Sequence, residues 1–218
     1  LADDGSVAEP GTGIGAVILA AGSGTRLGRR PKCLLELNGE SLIRRQIGAL
    51  QSLGLSGIVV VLGHHHKVID EELRQLDVDC VKQPASEHSQ SSSIRLGIAQ
   101  LPRSLTGYLV CPSDLPLLAR EDYAAVIQVF RSRSPEQAFV GPEVDGTPGH
   151  PMIFDDRLRG PLEAGSTALG SGQWRSEAGT GMLRWQTSNI NFVFDIDTED
   201  DIHALEQSTG HSLAWPSV

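Results

Sequence analysis

The 218-residue sequence predicts a three-layer α/β domain built on a mostly parallel, twisted sheet. Three observations carry that prediction. Short apolar runs such as Ala16–Ala21, Ile58–Leu62 and Tyr108–Cys111 show no polar alternation, as strands buried on both faces require. Segments with helical spacing of apolar residues alternate with these runs, and strand–helix–strand is the rhythm of parallel pairing. Aromatic residues make up only 5 % of the chain, which suits aliphatic helices on a sheet better than a β-sandwich. The length holds one such domain with a full core, so residues 14–210 are expected to form it, preceded by a disordered tail over residues 1–13.

The first strand runs into Gly22-Ser-Gly-Thr-Arg-Leu-Gly28 and then Arg29-Arg-Pro-Lys32. Gly22, Gly24 and Gly28 permit positive φ and close backbone approach, while Arg26 and Lys32 fix positive charge in the same loop. Free N–H groups and cations that converge at a strand end make a phosphate cradle. The glycine spacing misses the dinucleotide fingerprint by one residue, and no Gly-Lys-Ser/Thr follows to make a P-loop. Arg26, Arg29, Arg30 and Lys32 form the only basic cluster, a size that suits one triphosphate.

Further on, Asn38-Gly39 predicts a turn, and Ser41 an N-cap for a helix from Leu42 to about Leu53, with Leu42, Ile43, Ile47 and Leu50 on its apolar face. Ile58–Leu62 is the second strand. His64, His65 and His66 follow it, but adjacent residues cannot all face one ion, so a surface or loop-stabilising role is expected. A helix from about Lys67 to Leu76, a strand over Val78–Val81 and a loop over Gln83–Gln90 come next. Ser91, Ser92 and Ser93 open a helix carrying Ile94, Ile98 and Leu101. Two readings fit these serines: simple capping, or contact with the ribose or base of a nucleotide.

The strand Tyr108–Cys111 ends in Pro112-Ser-Asp-Leu-Pro116, which puts Asp114 on the rim where open α/β sheets bind ligands. Asp114 is therefore a candidate metal ligand, with a turn residue before Pro116 as the alternative. A helix over Glu121–Arg131, strands over Gln137–Val140 and Met152–Phe154, and a turn-rich loop over 146–151 lead toward the end. Asn191–Asp197 is expected as a strand ending in two acids on one face, with Thr198 capping a helix from Glu199 to about Glu206. Asp114 and Asp197 from separate strand ends suit one Mg²⁺, which prefers one or two carboxylates plus phosphate oxygens and water. Asp195 is the runner-up.

Composition narrows the partners. The net charge of −9 disfavours nucleic acid and acidic membranes. Cys33, Cys80 and Cys111 form no C-x-x-C pair, so neither a disulfide framework nor a zinc site is indicated, and a reducing cytoplasm is the expected compartment. No apolar run approaches the length of a membrane span.

Leu19-Ala-Ala-Gly through Lys32, Ser91–Gly97, Asp114–Pro116, Gly149–Pro151 and Asp195–Asp200 together resemble the molybdenum-cofactor cytidylyltransferase branch of the nucleotidyltransferases, in that branch's order. The resemblance implies a Rossmann-like α/β/α fold of the nucleotide-diphospho-sugar transferase (GT-A) type. It implies transfer of CMP from CTP to a phosphorylated small molecule of the molybdopterin kind, with release of pyrophosphate. The nucleotide would be held by Leu19, Ala20, Ala21, Gly22, Ser23, Gly24, Thr25, Ser92 and Ser93, with Arg26 and Lys32 catalytic and Asp114 and Asp197 on Mg²⁺. His150 would face the acceptor, whose pocket falls in residues 141–190. Ala21 matches the cytidylyl branch, because the guanylyl branch usually has glycine there. Residues 164–175 depart from the branch's Gly-Asp-x-Gly-Ala-Arg element, and Arg30–Gly39 also resembles the sugar-phosphate and choline-phosphate nucleotidyltransferases. Sugar phosphate, methylerythritol phosphate and phosphocholine therefore stay open as acceptors. So does a related fold that acts as an oxidoreductase or binds nucleotide without transfer.

Overall fold

A computed structural model describes residues 10–84, 86, 89–164 and 181–216. Residues 1–9 of the expected tail and residues 165–180 of the expected acceptor segment lie outside the described residues. In chain order the elements begin with β1 (Ile14–Ala20), β2 (Glu36–Leu37), β3 (Glu40–Ser41), α1 (Leu42–Gln51), β4 (Ile58–Leu62), α2 (His66–Leu73), β5 (Asp79–Lys82) and α3 (Gln90–Gln100). They continue with β6 (Gly107–Pro112), α4 (Arg120–Ser132), β7 (Phe139–Val144), β8 (Thr147–Pro148), β9 (Met152–Asp155) and α5 (Arg159–Glu163). The described residues close with β10 (Met182–Gln186), α6 (Glu199–Thr209) and β11 (Leu213–Ala214).

The main sheet has the order β10-β7-β9-β6-β1-β4-β5, with β8 folded back on β7. Along this path only β9 runs against its neighbours, so the sheet is mostly parallel as expected. Helices cover both faces. Ala16 and Ile18 of β1 pack with Val60 and Leu109 against α1, α2 and α4, which contribute Ile47, Ile69 and Phe130. Val17, Val59, Val61 and Val110 face the other way, onto Ile94 and Ile98 of α3 and Leu162 of α5. Strand residues of either parity are thus buried, which is why the apolar runs carry no alternation. No helix among the described residues is long and apolar enough to cross a membrane.

On that second face α3 lies close to the sheet. A Cβ at Gly97 would come within 2.3 Å of Val17 Cγ1 and 3.0 Å of Val61 Cγ2. Gly97→Ala is therefore expected to destabilise the fold by about 1–3 kcal/mol through overpacking. Chemical denaturation measures it, and an unchanged midpoint would show that α3 can back away from β1 at no cost.

A separate small core joins distant parts of the chain. Leu27, Leu35, Leu37 and Leu42 meet Ile196, Ile202, Leu205 and Leu213. A three-stranded sheet, β11-β2-β3, frames it. Its hairpin turns at Asn38-Gly39 as the sequence predicts, with Asn38 at φ 54.

The structure corrects one expected element. Residues 191–197 are not a strand: Ile190–Phe192 form a 3-10 turn and the chain then runs irregularly to Thr198. The Asn189 side chain accepts a hydrogen bond from Asn191 N at 3.1 Å and starts that turn. Phe192 is buried in the core on the α1 face of the main sheet, whereas Ile196 is buried in the separate small core, so the segment passes from one core to the other. Thr198 does cap α6, through a reciprocal pair with Asp201. At α3 the capping side chain is Ser89, one position before the helix, rather than Ser91.

Candidate active site

The sheet order reverses at β1, which lies between β4 and β6. In open α/β sheets that switch point leaves a crevice beyond the carboxyl ends of the strands. The glycine-rich loop leaves β1 there and Asp114 follows β6 there, and Ser113 ties the two together by donating from N and Oγ to Leu19 O at 3.2 and 3.0 Å.

Gly24 takes φ 60, and a Cβ on it would sit 1.9 Å from Arg30 O, so no other residue fits this turn. Its carbonyl accepts from Leu27 N and Arg29 N at 3.0 and 2.9 Å and winds Thr25–Leu27 into a 3-10 turn. Gly22 differs from expectation. It does not use positive φ, and a Cβ there would meet nothing within 4 Å, so its contribution is open space. The N–H groups of Gly22, Ser23 and Gly24 donate to no acceptor among the described residues. A run of open donors is what a backbone anion nest offers.

Two recesses meet at Gly22. A cavity of about 380 Å³ is bordered by Leu19, Ala21, Gly22 and Ser23 on one side and by Gln83 and Ser93 on the other. A smaller recess of about 100 Å³ is bordered by Ala20, Gly24, Lys32, Ser113 and Asp114. Ser92 stays out of both: its hydroxyl donates to Ser89 O at 2.8 Å and accepts from Gln83 Nε2 at 2.6 Å. Thr25 is exposed and borders neither recess.

The acids gather beside the smaller recess. Carboxylate oxygens of Asp114, Asp195 and Asp197 lie within 4.8 Å of one another, so Asp195 joins the pair rather than replacing Asp197. The backbone bond from Ile196 N to Asp114 O, 3.0 Å, fixes the two loops against each other. Lys32 Nζ bridges them, 2.9 Å from Asp114 Oδ2 and 2.6 Å from Asp197 Oδ1, and Arg26 holds the other oxygen of Asp197. Burial pulls the Lys32 ammonium down, but the charge of Asp114 and the bonds to Asp197 and Asp114 outweigh it and leave the group above its ordinary value. Asp195 is exposed overall, yet its carboxyl is raised above its ordinary value, first by partial loss of water around it and then by the charges of Asp114 and Asp197. Cys33, at the edge of the smaller recess, is pushed up to about 12, chiefly by burial, which favours the thiol over the thiolate.

The basic cluster divides. Arg30 stacks 3.8 Å over the Trp215 ring, and Arg29 is exposed at φ 59. Only Arg26 and Lys32 of the four bond to the acids. His150 is half-buried, and its N–H donates to Phe192 O at 2.8 Å, which ties the expected acceptor residue to the start of the acidic segment. Sequence reasoning missed Asp122, a buried residue on α4 that accepts from Asn189 Nδ2 at 2.6 Å and Asn191 Nδ2 at 3.1 Å and so aims that segment. The signal available was Asn-x-Asn ahead of a phenylalanine, a turn pattern rather than a strand pattern.

The signature of the MobA-like NTP transferase domain matches residues 16–180, across the glycine-rich loop, Lys32 and Asp114. The chain belongs to this family. Among the relatives of this MobA-like chain, the bifunctional protein GlmU of Prochlorococcus marinus (strain NATL2A) is 30 % identical over 145 residues, covering 64 % of this chain and 31 % of the relative. The chain thus spans less than a third of that protein. Two solved structures share the MobA-like fold closely. Rv0371c from Mycobacterium tuberculosis H37Rv has a TM-score of 0.73 at 24 % identity, covering 89 % of this chain and 97 % of its own. A homolog of it from Mycobacterium sp. strain JC1 has a TM-score of 0.72 at 26 % identity, covering 90 % and 96 %.

Proposed function

We propose that the chain is a nucleotidyltransferase that moves CMP from CTP to a phosphorylated small molecule of the molybdopterin kind in a reducing cytoplasm and releases pyrophosphate. The observation that carries this reading is the junction of the open N–H loop with the cluster of Lys32, Arg26 and the three aspartates. Open N–H donors and carboxylates meet at one sheet edge, as a phosphate with its cation would need. Three carboxylates against the two cations Lys32 and Arg26 leave an excess of negative charge, and hard oxygen donors of this kind suit Mg²⁺. Asp114 and Asp197 would hold it, with Asp195 beside them. When bound, the ion would withdraw charge from the triphosphate oxygens.

The residues of the chain would do the rest. Leu19, Ala21 and Ser93 would border the base and ribose in the larger cavity, with Ala20 at the smaller recess, while the N–H groups of Gly22, Ser23 and Gly24 take the phosphates. An acceptor phosphate oxygen would attack the α-phosphorus as its bond to the pyrophosphate oxygen breaks. Lys32 and Arg26 would neutralise the charge that builds on the leaving pyrophosphate. His150 and the 141–190 segment would hold the acceptor.

Thermal-shift titration with the four triphosphates and magnesium tests the nucleotide. CTP at 100 times its dissociation constant should add about 2.7 kcal/mol of stability. A larger shift with GTP or ATP would reject the cytidylyl assignment. A pyrophosphate-release screen with CTP against molybdopterin, methylerythritol phosphate, sugar phosphates and phosphocholine tests the acceptor. Arg30–Gly39 favours a sugar phosphate as the second reading, and silence with every acceptor while CTP still binds would favour a binding protein.

A further inference from the structure

The histidine run His64-His65-His66 takes no part in the chemistry above, yet it lies against the loop that does. Gly63, which ends β4, approaches the signature loop backbone to backbone: a Cβ on it would sit 2.4 Å from Ala21 O. From that contact the chain turns, with His66 N donating to Gly63 O at 3.2 Å. Hydrogen-bond chemistry then fixes what each ring does. Lys82 Nζ lies 3.0 Å from His66 Nε2, and an ammonium only donates, so Nε2 accepts and the proton sits on Nδ1. That Nδ1 faces the Gly63 carbonyl at 3.2 Å, as its donor role requires. His66 therefore closes its own turn.

His65 reaches across to the other loop. Its Nε2 lies 3.1 Å from Ser23 O, and since a carbonyl only accepts, Nε2 carries the proton and donates. This bond spans 42 residues of sequence and lands inside the phosphate nest. In a planar trans peptide the C=O and N–H point in opposite directions. Holding the Ser23 carbonyl toward His65 therefore turns the N–H of Gly24 to the opposite side, and that N–H is one of the three open donors of the loop.

We propose that His65 is a positioning residue that presets the Ser23–Gly24 peptide for phosphate. Resting on the nucleotide reading above, it means that the loop after β1 is oriented from the loop after β4. The backbone bonds within the loop run to Gly24 O and Leu27 O and leave the Ser23–Gly24 peptide unheld among the described residues, and His65 supplies a bond to it from outside.

Two variants separate the donor from the ring. Glutamine can place an amide N–H where Nε2 lies, whereas methionine fills similar space with no donor. In the unliganded protein, amide hydrogen exchange over residues 22–27 should be faster in His65→Met and close to wild type in His65→Gln. Calorimetry with CTP, or with whichever triphosphate gives the largest thermal shift, should show binding weakened about 3–10-fold in His65→Met and restored in His65→Gln. The melting temperature should be alike in all three. Equal exchange in all three proteins, His65→Gln as fast as His65→Met, or undiminished triphosphate affinity in His65→Met would each overturn the proposal. A wild-type protein that binds no triphosphate would instead remove the nucleotide reading, and the exchange experiment would still decide whether His65 orients the loop.

Discussion

Replacing Lys32 with methionine is expected to lower pyrophosphate release by about 10²–10³-fold, the effect of one fixed charge-stabilising donor in such a site. Among the described residues Lys32 is the one side chain bonded to both Asp114 and Asp197, and it borders the recess beside the open loop donors. Losing it has a second consequence in the unliganded protein. Asp114, Asp195 and Asp197 would keep their mutual repulsion without the ammonium between them, so the melting temperature should fall at low ionic strength and recover with magnesium. Lys32→Arg keeps the charge but replaces a compact ammonium with a planar fork, and should restore stability more fully than turnover. Turnover of Lys32→Met within tenfold of wild type would remove Lys32 from the chemistry.

Asp114→Asn and Asp197→Asn should each reduce magnesium-dependent turnover by a similar or larger factor, because either change takes a negative oxygen from the proposed ion. Stability should move the other way or not at all. Each substitution removes one of the charges that hold Asp195 above the usual carboxylate range, and Lys32 keeps the remaining aspartate as partner. The Asp195 carboxyl should then titrate lower than in the parent protein, which carboxyl-carbon NMR can follow. Ordinary activity at ordinary magnesium in either variant would exclude that residue as a ligand. An unmoved Asp195 would show that burial alone raises it.

Much of the site is legible in sequence because its parts are local. Strand β1, the loop to Lys32 and the Pro112–Pro116 turn each lie within a few residues, and each is a buried run that meets a turn. Contacts between segments distant in sequence were not legible. Asp195 and Asp197 read as alternates on one strand face, whereas the chain there is irregular and brings both to Asp114, because Asn189, Asn191 and Asp122 bend it. Arg30 reads as one of four phosphate cations, but an indole nearly two hundred residues later takes it. The reversed strand β9 looks like any other in sequence, since pairing direction leaves no mark on an apolar run. Ser92 and Ser93 are neighbours of one type, and only the position of Gln83 separates the one that closes a turn from the one that borders the cavity.

The small third core gives the site a folding behaviour of its own. Leu27 follows Arg26 directly and Ile196 precedes Asp197 directly, and both side chains are buried in that core. Burying the two neighbours in one core brings the arginine and the aspartate together across 171 residues of chain. The eight buried residues are few beside the two large cores on either face of the main sheet. A unit this small, framed by two-residue strands, opens at lower free energy than the sheet it leans on. When it opens, the cation side and the acid side of the cluster separate in one event. Heating should therefore inactivate the protein several degrees before the main sheet melts, and the lost activity should return on cooling, because the scaffold that the unit docks back onto never unfolded.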